Sequence, residues 1–276
     1  MKIYISVDME GIPGTFNWEH EKVDRPSVRK YMMDHVRQAV EQILAHPQAT
    51  DIQEITIADS HSNGDNLFYD ITALDKRITL ISGSPRPEYM MPGFDSSYSI
   101  VFLLGYHAGT GALKANMDHT YSNNKIQRIT INGISMNEAL INAAYAGYHG
   151  VPVGLVSGDM ALYEELMPNM PWLNYVITKE AVAKFAAKNY SALKVEKELR
   201  RAVERALDFA EDSLYRFSSP IELEIEFHST AMADVVSLMP GTTRVDGKRI
   251  RYIHDDYRVM FNALMALITL AYATGI

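Results

Sequence analysis

Two carboxylates stand at the end of the first apolar run of the chain, in the stretch ISVDMEG, residues 5–11. Asp8 and Glu10 are two residues apart, so in an extended backbone both side chains leave the same face. Two negative charges held that close strongly raise the pKa of one carboxyl group or require a cation between them. The spacing therefore predicts a carboxylate pair that binds a cation.

The next apolar runs also lead into side chains that bind metals. Ile55–Asp59 is followed shortly by His61, and Ile100–Gly105 is followed shortly by His107. Ligands bind outside the carboxyl ends of the strands in a doubly wound sheet, so these residues are predicted to share one edge. Carboxylates and imidazoles without thiolates suit Zn, Mn or a related divalent ion. Two such ions ~3.5–4 Å apart, bridged by one carboxylate, would satisfy this group in a hydrolase.

Each of these residues has a structural alternative when it is considered singly. A carboxylate at a strand end commonly caps a helix or is solvated in a loop, and a single loop histidine commonly decorates the surface. Glu138 follows Ser135 by three residues, which is the spacing of a capping box in which Glu138 would serve only its helix. A metal site is favoured because carboxylates or histidines follow three separate predicted strands that share one edge of the sheet.

A long loop, Ala108–Lys125, has no apolar periodicity. Such loops in compact domains are usually functional or disordered. His119 is the residue in this loop that is capable of proton transfer near neutral pH. The loop is therefore either functional through His119 or a mobile surface segment in which the histidine is incidental.

The elements that must position these residues alternate between strands and helices over the first two-thirds of the chain. This alternation predicts an α/β fold with a mostly parallel, doubly wound sheet. The predicted strands are Lys2–Asp8, Ile55–Asp59, Ile78–Ser82, Ile100–Gly105, Ile126–Ile131 and Val153–Val156, and the predicted helices are Arg29–His46 and Ser135–Tyr148, with Ser135 as the N-cap.

The pattern changes near residue 190, which predicts a second, smaller α+β domain. Ile221–Phe227 alternates apolar and acidic residues, as expected for an antiparallel strand with one wet face. A hairpin is predicted around Asp246-Gly247, and the apolar run Val259–Ile276 is predicted to be a buried amphipathic helix. A charged helix is predicted over Leu193–Tyr215, with Leu199, Val203, Ala206, Ala210 and Leu214 on one face. The expected domains are residues 1–189 and 190–276.

Composition excludes several classes of function. The 276 residues are 47% hydrophobic, carry a formal charge of −8 and include no cysteine. These values argue against a nucleic-acid partner, a thiolate metal site and a cysteine nucleophile. The start MKIYISVDMEG has no signal-peptide apolar segment, and no run reaches the ~20 apolar residues of a membrane span, so a cytoplasmic location without membrane association is expected.

The chemistry-bearing residues, in this order, resemble the DppA-type D-aminopeptidases, a family of binuclear zinc peptidases. The matching pieces span nearly the whole chain: SVDMEG (6–11), DSHS (59–62), GYHA (105–108), MDHT (117–120), NG followed by Glu138, AGYHGVPVGLVSGD (146–159) and LMPGT (238–242). The sequence departs from the family where Asn137 and Leu140 stand in place of the common glycines beside the glutamate.

The resemblance implies two zinc ions per subunit. Asp8 would bridge them, Glu10 and His61 would complete one site, and His107 and Glu138 the other. His119 would be the catalytic residue, near a water activated by the two zinc ions. The implied reaction is hydrolysis of the N-terminal peptide bond of short peptides that begin with a D-residue such as D-Ala, by a homo-oligomer that is a decamer in the family.

Two other interpretations of the predicted site remain open at this point. The same ligands would serve another binuclear metallo-amidohydrolase, such as an amidase, a deacylase or an L-aminopeptidase. A site that only senses a metal or stabilises the fold is the non-catalytic alternative.

Overall fold

A computed structural model of the chain describes residues 1–208 and 213–275. Its strands are β1 (Lys2–Val7), β2 (Glu54–Asp59), β3 (Ile78–Ile81), β4 (Ile100–Tyr106), β5 (Ile126–Ile131), β6 (Ile134–Ser135), β7 (Val153–Asp159), β8 (Asn174–Ala183), β9 (Ala186–Asn189), β10 (Ile221–Phe227), β11 (Thr242–Arg244) and β12 (Arg249–His254). Its α-helices are α1 (Trp18–Val23), α2 (Arg25–Ala45), α3 (Glu138–Tyr148), α4 (Met160–Leu166), α5 (Ala192–Asp208), α6 (Thr230–Val236) and α7 (Tyr257–Tyr272).

The larger sheet has the strand order β3-β2-β1-β4-β7-β8-β9. Its strand pairs are parallel except for β8 and β9, which form an antiparallel pair. The predicted mostly parallel sheet is therefore confirmed. The chain adds β2 and β3 on one side of β1 and then returns to add β4 on the other side. The strand order thus reverses at β1, and the carboxyl ends beside such a switch point are where this class of sheet binds ligands.

Helices cover both faces of this sheet. On one face, α2 and α5 pack on each other and close a core with the continuous apolar runs of β1, β2 and β4. On the other face, α3 packs on β4, β7 and α7. A strand that is buried on both faces reads as an unbroken apolar run, which is why these strands were evident in the sequence.

A second sheet has the order β11-β12-β10-β5-β6 and is antiparallel throughout. The alternation of β10 is confirmed, with Ile221, Leu223, Ile225 and Phe227 buried. The hairpin around Asp246-Gly247 is confirmed as β11 and β12. β5, read from the sequence as one of the alternating strands, pairs with β10 in this second sheet instead of joining the parallel one.

The division into domains at residue 190 stays a prediction. The second sheet takes β5 and β6 from before that residue, and α5, which follows it, packs on α2.

Two predicted helices have different bounds in the structure. The N-cap of α3 is Asn137, whose side-chain oxygen accepts the backbone N–H of Leu140, so the prediction of Ser135 as N-cap is wrong. Ser135 instead ends the β5–β6 hairpin, because the turn at Asn132-Gly133 returns the chain antiparallel to β5. The predicted helix Leu193–Tyr215 is described as Ala192–Asp208; Leu214 lies outside the helix, and Ala210 lies outside the described residues.

The predicted C-terminal helix is confirmed as α7, which buries an apolar face. No helix among the described residues is long and apolar enough to cross a membrane.

Two glycines allow the chain after β1 to lie directly against the end of β4. The backbone N–H of Gly11 donates to the carbonyl of Gly105 at 2.7 Å. A Cβ on Gly11 would lie 1.8 Å from the Tyr106 carbonyl oxygen, and one on Gly105, which has φ +75°, would lie 2.4 Å from the Asp8 carbonyl oxygen. Any larger residue at either position would push the two strand ends apart.

His35 on α2 gives a pH-dependent contribution to stability. Its ring is buried, its Nε2 lies 2.8 Å from Ser157 Oγ on β7, and burial lowers the pKa of His35 from 6.5 to about 4. Below pH about 6.5 the unfolded chain binds a proton at this residue while the folded chain stays neutral until about pH 4. The free energy of unfolding therefore falls as the pH drops through this window.

Between about pH 7.5 and about pH 4, we expect the free energy of unfolding of the wild type to fall by about 3 kcal/mol more than that of His35→Gln. Each unit by which the pKa of His35 is lowered corresponds to about 1.4 kcal/mol. Urea unfolding of both proteins across this range measures the difference, in which all other titrating groups cancel. Parallel stability curves would contradict the expectation.

Candidate metal centre

The residues predicted from the strand ends meet at the switch-point edge of the parallel sheet. Asp8 and Glu10 follow β1, His61 follows β2, His107 follows β4, and Glu138 is the first residue of α3. All five are buried, with 8% of His61 exposed and less of each of the others. The structure thus brings together residues that are up to 130 positions apart in the chain.

The six candidate side chains form two groups, and Asp8 lies between them. In the first group, His61 Nδ1 lies 3.2 Å from Asp8 Oδ1 and 3.2 Å from Glu10 Oε2. In the second group, His107 Nε2 lies 3.4 Å from Asp8 Oδ2 and 3.6 Å from Glu138 Oε2. The two oxygens of Asp8 therefore face different groups. His119 belongs geometrically to the second group, since its Nε2 lies 3.8 Å from Glu138 Oε1.

Backbone carbonyls fix which nitrogen of two imidazoles faces the centre. His107 Nδ1 lies 2.9 Å from the carbonyl of Ala108, and His119 Nδ1 lies 3.0 Å from the carbonyl of Met117. A carbonyl oxygen only accepts, so each Nδ1 carries the proton and each Nε2 of the neutral ring presents a lone pair to the carboxylates. This arrangement is the one that metal-binding histidines use.

The electrostatics of the centre are those of a site for cations. Asp8 Oδ2, Glu10 Oε2 and His107 Nε2 are buried and have no hydrogen-bond partner among the described residues. Such atoms are costly to bury unless something positive binds them. A set of carboxylate oxygens and imidazole nitrogens without thiolates fits a divalent ion such as Zn²⁺. The residues present therefore fit a metal ion at each group.

Burial and the charges within the centre shift the pKa values of its own groups. Burial, and next the charge of Glu10, raise the pKa of Asp8 to about 7. Burial alone would lower the pKa of His107, but the charges of Glu138, Glu10 and Asp8 outweigh it and raise that pKa well above its usual value. Burial, followed by the charge of His107, lowers the pKa of His119.

Neighbouring groups hold the carboxylates in place. The backbone N–H of Tyr121 donates to Glu138 Oε1 at 2.6 Å, so Glu138 serves the centre and the loop instead of a capping box. The indole N–H of Trp18 donates to Glu10 Oε1 at 2.8 Å. Glu21 Oε1 lies 3.3 Å from His61 Nε2, on the side of that ring away from the centre. Each contact leaves another oxygen or nitrogen of the same side chain directed inward.

The turn that carries Glu10 is anchored by a buried lysine. Lys179 on β8 is fully buried, and its ammonium donates to the Thr15 carbonyl at 2.6 Å and to the Thr15 hydroxyl at 2.8 Å. That hydroxyl in turn lies 3.2 Å from the carbonyl of Glu10. Burial lowers the pKa of Lys179 to about 7.

The ring of His119 packs against its neighbours. Its ring stacks on His107 with centroids 4.2 Å apart and planes 7° apart, and the edge of Trp18 lies against it at 5.4 Å. Within the same loop, the carbonyl of Asp118 accepts from Lys184. The ring of His119 is therefore packed against the centre and does not project from the surface.

Sequence reasoning missed Trp18, Glu21, Tyr121 and Lys179. Trp18 and Glu21 lie on a single short helix without buried residues, where no periodicity marks them. Tyr121 contributes a backbone N–H, for which no side-chain pattern exists. Asp59, the last residue of β2, accepts the backbone N–H groups of Asn66 and Leu67 and shapes the loop after His61.

A small cavity of about 200 Å³ opens beside the centre. Its lining includes Asp8, His61, His119 and Glu138, and three tyrosines, Tyr89, Tyr121 and Tyr272, form part of its wall. A molecule bound in this cavity would contact both groups of candidate ligands.

Comparison with known proteins identifies the class. The profile of peptidase family M55, described as D-aminopeptidase, matches residues 1–266. The chain therefore belongs to the D-aminopeptidase family of peptidases, and the prediction of a peptidase, a hydrolase, is confirmed.

Particular relatives agree with that membership. The D-aminopeptidase of Bacillus subtilis (strain 168) is 28% identical over 288 residues, covering 100% of this chain and 99% of the relative. A solved structure, the Zn-dependent D-aminopeptidase DppA from Bacillus subtilis, described as a self-compartmentalizing protease, superposes with a TM-score of 0.88. It is 28% identical and is matched over 99% of this chain and 98% of its own.

We expect Asp8→Ala to bind neither metal ion, because each group would lose one of its carboxylate oxygens. Zinc per folded chain, measured by elemental analysis after dialysis, should fall from about two in the wild type to near zero. Asp34→Ala, which removes a carboxylate from the exposed face of α2, is the matched control and should retain the wild-type content. Two equivalents in folded Asp8→Ala would contradict bridging by Asp8.

Proposed function

We propose that this protein is a binuclear zinc aminopeptidase that hydrolyses the N-terminal peptide bond of short peptides beginning with a D-residue such as D-Ala. The observation that carries the proposal is the position of Asp8, with Oδ1 toward Glu10 and His61 and Oδ2 toward His107 and Glu138. Membership in the D-aminopeptidase family and the zinc dependence of the B. subtilis relative support it.

Each group of side chains has a defined role in this proposal. Glu10 and His61 would hold one ion, His107 and Glu138 would hold the other, and Asp8 would be shared by the two groups. When bound, two zinc ions supply Lewis acidity, which polarises a scissile carbonyl and lowers the pKa of water toward neutrality. The carboxylates fix the charge of the site, and the small cavity of about 200 Å³ limits the N-terminal residue to a short side chain.

His119 moves the proton in the proposed reaction. Its Nδ1–H is committed to the Met117 carbonyl, so Nε2 is the atom that accepts a proton from the attacking water and passes it to the leaving amine. The stacking on His107 and the edge contact with Trp18 hold Nε2 over the centre. The same geometry would also allow His119 Nε2 to be a third ligand beside His107 and Glu138.

We further propose that the chain acts as a homo-oligomer, a decamer if it follows the family it resembles. The description of the B. subtilis relative as self-compartmentalizing supports an assembly with enclosed sites. The mass of the purified particle by light scattering tests this.

The function is tested by metal content measured alongside activity on a panel of D-Ala peptides, L-Ala peptides and acyl amides. We expect the D-Ala peptides to be cleaved fastest, chelation to abolish activity and added zinc to restore it. Faster cleavage of L-Ala peptides or acyl amides would favour another metallo-amidohydrolase. Activity that survives complete removal of the metal would rule out the proposed chemistry.

We expect His119→Ala to retain both zinc ions and to lose turnover by roughly 10²–10⁴-fold, the usual contribution of a proton-transfer group. Steady-state kinetics and elemental analysis are measured on the same preparation. His228→Ala, at an exposed histidine of the second sheet region, is the control and should match the wild type. Wild-type turnover would refute the role of His119, and loss of one zinc equivalent would identify it as a ligand.

A further inference from the structure

A second and larger cavity, of about 830 Å³, lies beside the small one. It is formed where the loop 86–89 and the segment 238–240 face the outer side of α7. Nothing in the proposed reaction uses this cavity, and its volume is about four times that of the cavity at the metal centre.

The two cavities share part of their walls. Tyr89, Tyr121 and Tyr272 line both of them. The rings of Tyr89 and Tyr121 meet edge to face with centroids 5.2 Å apart, and the hydroxyl of Tyr272 lies 2.8 Å from Ser122 Oγ. The rest of a peptide whose scissile bond lies at the metal centre can therefore extend past these tyrosines into the larger cavity.

The backbone at this shared wall is held in an unfavourable conformation. Tyr89 has φ +50° and Tyr121 has φ +59°, in the left-handed region that bulky residues rarely adopt. Residues kept in such conformations persist where the surrounding structure imposes them, and they cluster at ligand-binding sites. Both outliers place an aromatic ring between the two cavities.

The chemistry of the larger cavity suits an apolar group. Met239, Met265 and Leu270 are among its lining side chains, and Arg86 is the charged one among the described residues that line it. The Arg86 guanidinium already donates to the carbonyls of Gly83, Ser60, Ser62 and Tyr89, at 2.7–3.1 Å. It therefore serves mainly to tie two loops together. A wall of methionine, leucine and tyrosine favours the burial of an aliphatic or aromatic side chain.

We propose that the larger cavity binds the leaving side of the substrate, and that the enzyme selects short peptides with a small N-terminal residue followed by a large apolar one. This inference rests on the proposed aminopeptidase function. The small cavity receives the N-terminal residue at the metal centre. The second residue places its side chain against α7, and the cleaved product leaves through the same cavity.

Three peptide amides with the same N-terminal residue test this selectivity: D-Ala-Gly-NH₂, D-Ala-L-Phe-NH₂ and D-Ala-D-Phe-NH₂. We expect kcat/KM to be roughly 10–100-fold higher for the better Phe peptide, the range that burial of an apolar side chain in an enzyme pocket gives. Equal rates would overturn the inference and leave the aminopeptidase function intact. Cleavage of none of these peptides, with activity on L-Ala peptides or acyl amides instead, would overturn both.

A charged substitution in the larger cavity tests whether the preference for Phe over Gly depends on binding of the Phe side chain there. Ala266 is an exposed residue of α7 that lines the cavity, whereas Asn262 is an exposed residue of the same helix outside the lining. We expect Ala266→Glu to reduce the preference for Phe over Gly to about threefold or less, since a buried apolar ring would then meet a carboxylate. Asn262→Glu, which adds the same charge to the same helix, should keep the wild-type preference.

Binding of the product gives a readout that does not depend on turnover. Calorimetry with phenylalaninamide on the zinc-loaded enzyme should show binding that is roughly tenfold weaker in Ala266→Glu and unchanged in Asn262→Glu. Light scattering on the same samples reports the assembly. Dissociation of Ala266→Glu into smaller particles, together with a wild type that has no preference for Phe, would identify the cavity as a contact between copies and overturn the inference.

Discussion

The concentration of negative charge at one edge of a buried sheet is the constraint on which the rest of the structure depends. Asp8, Glu10 and Glu138 are each almost fully buried, and the neutral imidazoles of His107 and His119 direct lone pairs toward this group. Carboxylates in such a place are stable only when paired with positive charge. Folding of this region and binding of cations are therefore coupled, because each makes the other favourable.

The surrounding elements can be understood as supports for that concentration of charge. The indole of Trp18 and the backbone N–H of Tyr121 each satisfy one carboxylate oxygen, and the remaining oxygens stay directed inward. The ammonium of Lys179 donates to Thr15, and the Thr15 hydroxyl in turn contacts the carbonyl of Glu10, so Lys179 supports the turn of Glu10 through one intervening residue. The close contact of Gly11 with Gly105 brings the ends of β1 and β4 together, so that Asp8 reaches both His61 and His107.

Much of this arrangement could be predicted from the sequence because it follows from strand periodicity. β1, β2 and β4 are unbroken apolar runs, so their carboxyl ends, and with them Asp8, His61 and His107, could be assigned to one edge. β10 was evident from its strict alternation.

What could not be predicted depends on contacts between distant segments. β5 looks like the strands of the parallel sheet, but its partner β10 is about 90 residues further along the chain. Ser135 has the local signature of a helix cap, yet Asn137 is the cap because the hairpin requires Ser135 in a strand. The donors that orient the carboxylates come from a short helix and a loop, where no periodic pattern exists.

The wall of three tyrosines that the two cavities share lies between the strand ends that carry the candidate ligands and helix α7. At the strand ends, a single added methyl group at Gly11 would collide with backbone. On the far side of the wall, α7 presents the exposed residue Ala266, which lines the larger cavity and is not among the residues that line the cavity at the metal centre. If the larger cavity binds the leaving side of the substrate, substitutions on this face of α7 would change which peptides are cleaved without altering the strand ends that carry the candidate ligands.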